Sequence, residues 1–259
     1  MIHLKEIAVT FNPGTALEKK ALNGLDLKIS QGEFVTVIGG NGAGKSTLLA
    51  TLCGEVLPTS GQVLIDDVDV TTWPVWKRTS FVARVFQDPM VGTCSNLSIE
   101  ENMALASRRT LSRGLAPALN RHDKERLRHA LSRLALGLEN RLKDPMGSLS
   151  GGQRQAVSLV MSALAPMKIL ALDEHTAALD PKTGAFIMDL TRQIIEEHGL
   201  TALMVTHSMT QALQNGTRTV MINAGRVVYD AKGAKRESLT SQDLIALFHK
   251  SHGEADLLT

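Results

Sequence analysis

Ile2, Leu4, Ile7 and Val9 recur at strand-like intervals, and Leu25, Leu27 and Ile29 alternate with polar residues, so the chain opens with two half-buried β-strands. Behind Gly32 the run Phe34 to Ile38, apolar apart from Thr36, reads as a strand buried on both faces. Glycines crowd the next stretch, Gly39 to Gly44, and Lys45 to Leu52 reads as a helix that Gly54 stops. Alternation resumes through Val63 and Ile65, turns at Asp66-Asp67, and is expected to return as Phe81 to Phe86. From about Asp88 to Ala165 the pattern turns helical: Ser98-Ile99-Glu100-Glu101 has capping-box form, and Leu127, Leu131 and Leu134 share a helical spacing within His122 to Leu136. Ile169 to Leu172 is strand-like again, a helix spans about Thr183 to Glu197, and Thr201 to Val205 reads as another buried strand of the βαβ kind. Thr219 to Ile222 and Arg226 to Tyr229 flank Asn223-Ala224-Gly225 as a hairpin, and Ser241 to Lys250 closes the chain as an amphipathic helix.

Composition narrows the reading. The 259 residues carry 28 Lys and Arg against 26 Asp and Glu, with 43% hydrophobic residues, a globular balance that excludes disordered and fibrous classes. Aromatic residues are only 3% and no basic tract is dense, so a stacking platform for single-stranded nucleic acid lacks its raw material. Pro166, Lys168 and Asp173 break the most apolar region, Ser158 to Leu172, well short of the ~20 residues a spanning helix needs. Cys53 and Cys94 are too few for a disulfide framework and too isolated for a thiolate metal site, which fits a cytosolic chain. Arg108, Arg109, Arg113, Arg121, Lys124, Arg126 and Arg128 are interleaved with Asp123 and Glu125, the pattern of a solvated helix face.

Gly39-Gly40-Asn41-Gly42-Ala43-Gly44-Lys45-Ser46 fits G-x-x-x-x-G-K-[ST] and falls between a strand and a helix. There, backbone N–H groups and a helix N-terminus converge on phosphate oxygens. Gly42 and Gly44 let the backbone approach, Lys45 would neutralise β and γ oxygens, Ser46 would reach Mg²⁺, and Thr47 extends the same turn. A phosphate loop alone leaves kinases, GTPases, helicases and transport ATPases open.

Leu149-Ser150-Gly151-Gly152-Gln153, ahead of a helix expected over Arg154 to Leu164, places a second hydroxyl and two glycine amides at a helix start. At this point the sequence resembles the ATP-binding cassette family, in which LSGGQ is the signature that reaches the γ-phosphate bound to the partner subunit. The family's other motifs follow in order along nearly the whole chain. Ile169 to Glu174 is similar to the Walker B strand, with Asp173 helping to hold Mg²⁺ and Glu174 as general base for water. Their adjacency on one strand would turn the two carboxylates to opposite sides. Gln87 matches the glutamine that senses Mg²⁺ and water, Ala177 to Asp180 the loop that crosses the dimer interface, and His207 the switch histidine on the γ-phosphate. Phe11 is the candidate to stack on adenine, with a place in the core as the competing reading. The usual proline after the glutamate is His175 here, and loop variation outweighs a catalytic role for it.

The resemblance implies an α/β fold. A RecA-like P-loop core with an antiparallel β subdomain occupies 1–87 and 166–230, an inserted α-helical subdomain occupies 88–165, and a C-terminal helix lies in 231–259. It also implies an ATPase that energises a separate permease from the cytoplasmic face of the inner membrane. ATP and Mg²⁺ would be its cofactors, and its partners a second copy or a paralogous cassette, permease subunits and, indirectly, a solute-binding protein. Asp88 to Thr93, Ile99 to Asn102 and Asp173 to Thr176 look like the subgroup that serves branched-chain-amino-acid-type permeases, which points to import of a small solute such as an amino acid. A cassette acting on nucleic acid or ribosomes is the competing class, although neither a coiled-coil insertion nor a second cassette is present. A GTPase would need an Asn-Lys-x-Asp guanine reader, which the sequence lacks.

Overall fold

The computed structural model describes residues 1–110 and 119–255, with side chains up to Lys250; Arg113 of the basic segment lies outside them. The strands are β1 Ile2–Phe11, β2 Lys19–Ile29, β3 Phe34–Ile38, β4 Ser60–Ile65, β5 Val68–Asp69, β6 Val82–Val85, β7 Ile169–Asp173, β8 Thr201–Val205, β9 Arg218–Asn223 and β10 Arg226–Lys232. The helices are α1 Lys45–Cys53, α2 Val75–Arg78, α3 Ile99–Ser107, α4 Arg121–Ser132, α5 Gly151–Ala163, α6 Pro181–His198, α7 Met209–Gln214, α8 Ala234–Glu237 and α9 Ser241–Ala255. They divide into two compact units, one holding residues 1–78, 171–174 and 200 onward, the other 79–170 and 175–199.

In the first unit β2, β1, β4 and β5 form an antiparallel sheet in that order. Ile2, Leu4, Ile7 and Val9 are all buried although the spacing slips by one after Leu4. The slip is absorbed by irregular pairing between Leu4 and Ile7, where Glu6 takes φ 49°, so a bulge restores the apolar face. Asp66 and Asp67 turn the chain with φ 50° and 60°, both left-handed as a tight primed hairpin requires. The returning strand is the two-residue β5 rather than Phe81 to Phe86; the latter region supplies β6, which belongs to the other sheet. A pair of residues is too short to show a period, which is why the apolar run further on was the more visible partner.

The first unit's second sheet has β3 parallel to both β8 and β9, with β10 antiparallel on the outer edge of β9. All five residues of β3 and of β8 are buried, as central parallel strands demand. Helix α1 packs Leu48, Leu49 and Leu52 into this core. Its C-terminal end is held by Arg78, wholly buried, which donates to the carbonyls of Thr51, Leu52 (3.0 Å) and Thr71 (2.8 Å) and so meets the helix's negative end with a cation.

In the second unit, three helices start with reciprocal caps, Ser98 with Glu101, Asn120 with Asp123 and Ser150 with Gln153. Leu127, Leu131, Leu138, Met146, Val157 and Ile187 are buried there. Helix α4 ends at Ser132 rather than running to Leu136, because the chain turns at Ala135 (φ 51°) while still burying Leu134. Among the described residues no helix is long and apolar enough to cross a membrane.

Candidate functional site

Strand β3 delivers the chain to Gly39, where a Cβ would lie 2.3 Å from the Ile222 carbonyl oxygen. The loop closes through Ala43 N–H to Gly40 O (3.2 Å) and passes into α1 at Gly44, whose φ of 106° excludes ordinary side chains. A Cβ on Gly44 would stand 2.5 Å from Ala21 O in β2. The β9–β10 turn supports the loop from another side: Gly225 N–H donates to Ala43 O (2.9 Å) and Gly225 O accepts from Asn23 N–H (3.0 Å). The hairpin was legible in the sequence; its service to the loop was not, because nothing local links Gly225 to Ala43.

Lys45 is buried, and its ammonium donates to Gly39 O and Gly40 O, both at 2.9 Å. Burial pushes the Lys45 pKa below its ordinary value, while the carboxylates of Glu174 and then Asp173 pull it back up. Ser46 remains exposed and Thr47 half-buried in the first turn of α1, where N–H groups have no intrahelical partner.

The acids sit at the end of β7, arranged otherwise than strand alternation predicts. Asp173 is the last strand residue, and Glu174 has already left the strand with φ 46°, so a left-handed backbone step, not strand alternation, separates the two carboxylates. Glu174 N–H donates to Val205 O (3.1 Å), and Thr206 N–H donates to Val37 O (3.1 Å), which ties the ends of β7, β8 and β3 together. From the β8 end, His207 directs Nε2 to Glu174 Oε1 at 2.7 Å, the glutamate side chain being 12% exposed and the histidine 46%. Phe11, Lys19, Ala21, Asn41 to Thr47, Glu174 and His207 line one open cleft of about 250 Å³. Phe11 pairs with Lys19 across β1 and β2 at its rim and is 38% exposed, so it lies on the cleft rather than in the core. Lys19 had no motif to announce it.

The remaining candidates belong to the second unit. Gln87 is exposed just after β6, and the preceding Phe86 carbonyl accepts from Gln155 Nε2 (3.2 Å). Helix α5 begins at Gly151, so it takes in both signature glycines. Ser150 caps it by accepting from Gln153 N–H (3.2 Å), and Gln153 Oε1 returns the bond to Ser150 N–H (3.2 Å). Leu149 is buried, and Arg154 shapes the approach by donating to Met146 O, Gly147 O and Leu149 O. Asp180 caps α6 through Thr183 N–H (3.1 Å), and hydrogen bonds from Thr183 hold the Asp180 carboxyl below its usual pKa. His175 is buried, bonds Thr191 Oγ1 through Nε2 (3.0 Å), and is pushed down to about 4 by burial. Since Thr191 gives its own hydroxyl proton to Ile187 O (2.7 Å), His175 donates to it as a neutral imidazole, a role in holding α6.

A glycine loop clasping a buried lysine, an exposed serine in the first helical turn and an acid–histidine pair in one cleft define a P-loop nucleoside triphosphatase. Residues 22–177 match the ABC transporter family, and the chain belongs to that family: it is an ATP-binding, ATP-hydrolysing cassette. It is 42% identical over 248 residues to a tyrosine transport ATP-binding protein of Clostridioides difficile, covering 96% of this chain and 98% of that one. It is 37% identical over 208 residues to the thiamine import ATP-binding protein ThiQ of Shigella sonnei, covering 80% and 84%. Among solved structures, a dimeric post-hydrolysis state of the cassette MJ0796 with ADP and Pi aligns with a TM-score of 0.77 at 31% identity, over 90% of this chain and 98% of that one. CbiO1 of Clostridium perfringens, part of a cbiONQ transporter complex, aligns with a TM-score of 0.72 at 25% identity, over 95% and 90%.

Proposed function

We propose that this chain drives a small-solute importer, with an amino acid as the favoured cargo class, from the cytoplasmic face of the inner membrane. It works there as a head-to-tail dimer bound to separate permease subunits that receive cargo from a solute-binding protein. The observation that carries the reading is that one chain holds two unlike half-sites: the lysine–acid–histidine cleft of the first unit and the capped Ser150 helix start of the second. Two copies are needed to complete one site. The amino-acid assignment rests on the tyrosine transport relative, which matches over almost its full length.

In this reading the N–H groups of Asn41 to Thr47 and the Lys45 ammonium bind the triphosphate, while Gly39 and Gly40 hold the lysine through their carbonyls. Phe11 offers its exposed ring to the adenine. Glu174 accepts the proton of the attacking water, His207 orients the Glu174 carboxylate and meets the γ-phosphate, and ADP and phosphate leave. Ser150, Gly151 and Gly152 of the second copy, with Asp180 beside them, close the site from outside. The donor set suits Mg²⁺: the exposed Ser46 hydroxyl and the Asp173 carboxylate are hard oxygens close to Lys45, two protein ligands being what this ion usually takes. Bound there, the ion would neutralise phosphate charge.

Co-purification tests the assignment. A tagged full-length chain, solubilised from native membranes, is expected to bring down an integral membrane protein whose reconstitution raises ATPase activity. Recovery with ribosomes or DNA instead would overturn it.

A further inference from the structure

Gly151 and Gly152 are neighbours at the start of α5, yet their surroundings differ. A Cβ on Gly151 would meet no heavy atom within 4 Å, whereas a Cβ on Gly152 would lie 2.5 Å from Thr183 Cγ2. Thr183 stands in the first turn of α6 and cannot simply swing aside. It is β-branched, and its N–H donates to Asp180 Oδ1 (3.1 Å), which fixes its backbone in the first turn of α6. Gly152 in turn lies between Ser150 and Gln153, whose reciprocal bonds cap α5. The one close approach therefore joins two capped helix starts, Ser150 on one side and Asp180 on the other.

We infer that Thr183 is a positioning residue for ATP hydrolysis: its methyl, seated on the bare Cα of Gly152, sets the spacing between the signature segment Leu149 to Gln153 and the Asp180 loop. This rests on the reading that both segments face the nucleotide of the partner subunit. The two signature glycines then answer different demands. Gly152 is required by packing inside its own chain, and Gly151 by what approaches from outside. The backbone and the methyl of Thr183 divide the work, its N–H holding Asp180 and its methyl measuring the distance to α5.

The test is a suppressor experiment on the full chain, reading kcat and ATP KM in chains that keep Glu174, and ATP-driven dimerisation in a Glu174→Gln background. Gly152→Ala is expected to lower kcat at least about tenfold and to weaken dimerisation, with ATP binding to the monomer retained. Adding Thr183→Ser, which removes the methyl and keeps the hydroxyl, is expected to restore kcat to within about threefold of the Thr183→Ser single variant. Adding Thr183→Val, which keeps the methyl, is expected to restore nothing. A Gly152→Ala chain as fast as the parent, or one that Thr183→Ser leaves equally slow, overturns the inference. If Gly152→Ala fails to fold, recovery of a folded chain by Thr183→Ser supports the inference, and failure of both chains to fold overturns it. Gly151→Ala separates the underlying reading: if it leaves ATP-driven dimerisation intact, the signature segment does not face a partner's nucleotide and both fall. If it blocks dimerisation while the suppressor fails, only the role of Thr183 falls.

Discussion

Glu174→Gln is expected to lower ATP turnover by about 10³-fold or more while leaving ATP binding intact, because only the proton-accepting carboxylate is lost. Gln keeps an oxygen in the place that accepts from His207 Nε2, and the backbone bond from residue 174 to Val205 O does not involve the side chain. The cleft should therefore stay assembled, and ATP should accumulate uncleaved between two copies. Phosphate release measures the loss, and size-exclusion chromatography with and without ATP measures the trapped dimer. A variant with parental turnover would remove Glu174 from the base role, and one that neither turns over nor dimerises would point to a misassembled cleft.

Gly44→Ala should be among the most damaging single-methyl changes in the first unit. Residue 44 must hold φ 106°, and the added Cβ would stand 2.5 Å from Ala21 O and 3.0 Å from Leu22 Cδ2. The first of these atoms is backbone near the start of β2, between the pairs Lys20–Thr10 and Leu22–Val9, so its retreat would disturb the pairing of β2 with β1. Backbone strain and overpacking together imply about 3 kcal/mol or more of lost stability. ATP affinity should fall as well, since the same shift turns the N–H groups of the first helical turn away from the phosphates. Thermal melting and titration with a fluorescent ATP analogue check the two effects. A variant that melts and binds like the parent would show that β2 yields freely at Ala21.

The parts of this fold that could be read in advance are those whose physics is local. Phe34 to Ile38 is apolar but for Thr36, whose hydroxyl is satisfied by Ala212 O, because both faces are covered, and the boundaries of β3 are the ones the run predicts. The stop of α1 at Gly54 and the cap of α3 at Ser98 are written in a few neighbouring residues. The phosphate loop and the signature were legible for the same reason. What escaped depends on distant chain segments: the pairing partner of β4, the left-handed step that carries Glu174 off its strand, the seat of Arg78 under α1, and the contact of Gly225 with Ala43. His175 was visible as a departure from the family pattern, but only burial against α6 shows it as a neutral structural group rather than a partner of the base.

The turn at Asn223 to Gly225 lies in a hairpin, the kind of place where a chain ordinarily tolerates a change of length. Here the turn is also a wall of the phosphate loop, with Gly225 donating to Ala43 on one side and accepting from Asn23 on the other. A change of length at this hairpin is therefore expected to disturb the phosphate loop, so that a turn about 180 residues downstream shares the loop's own intolerance of change.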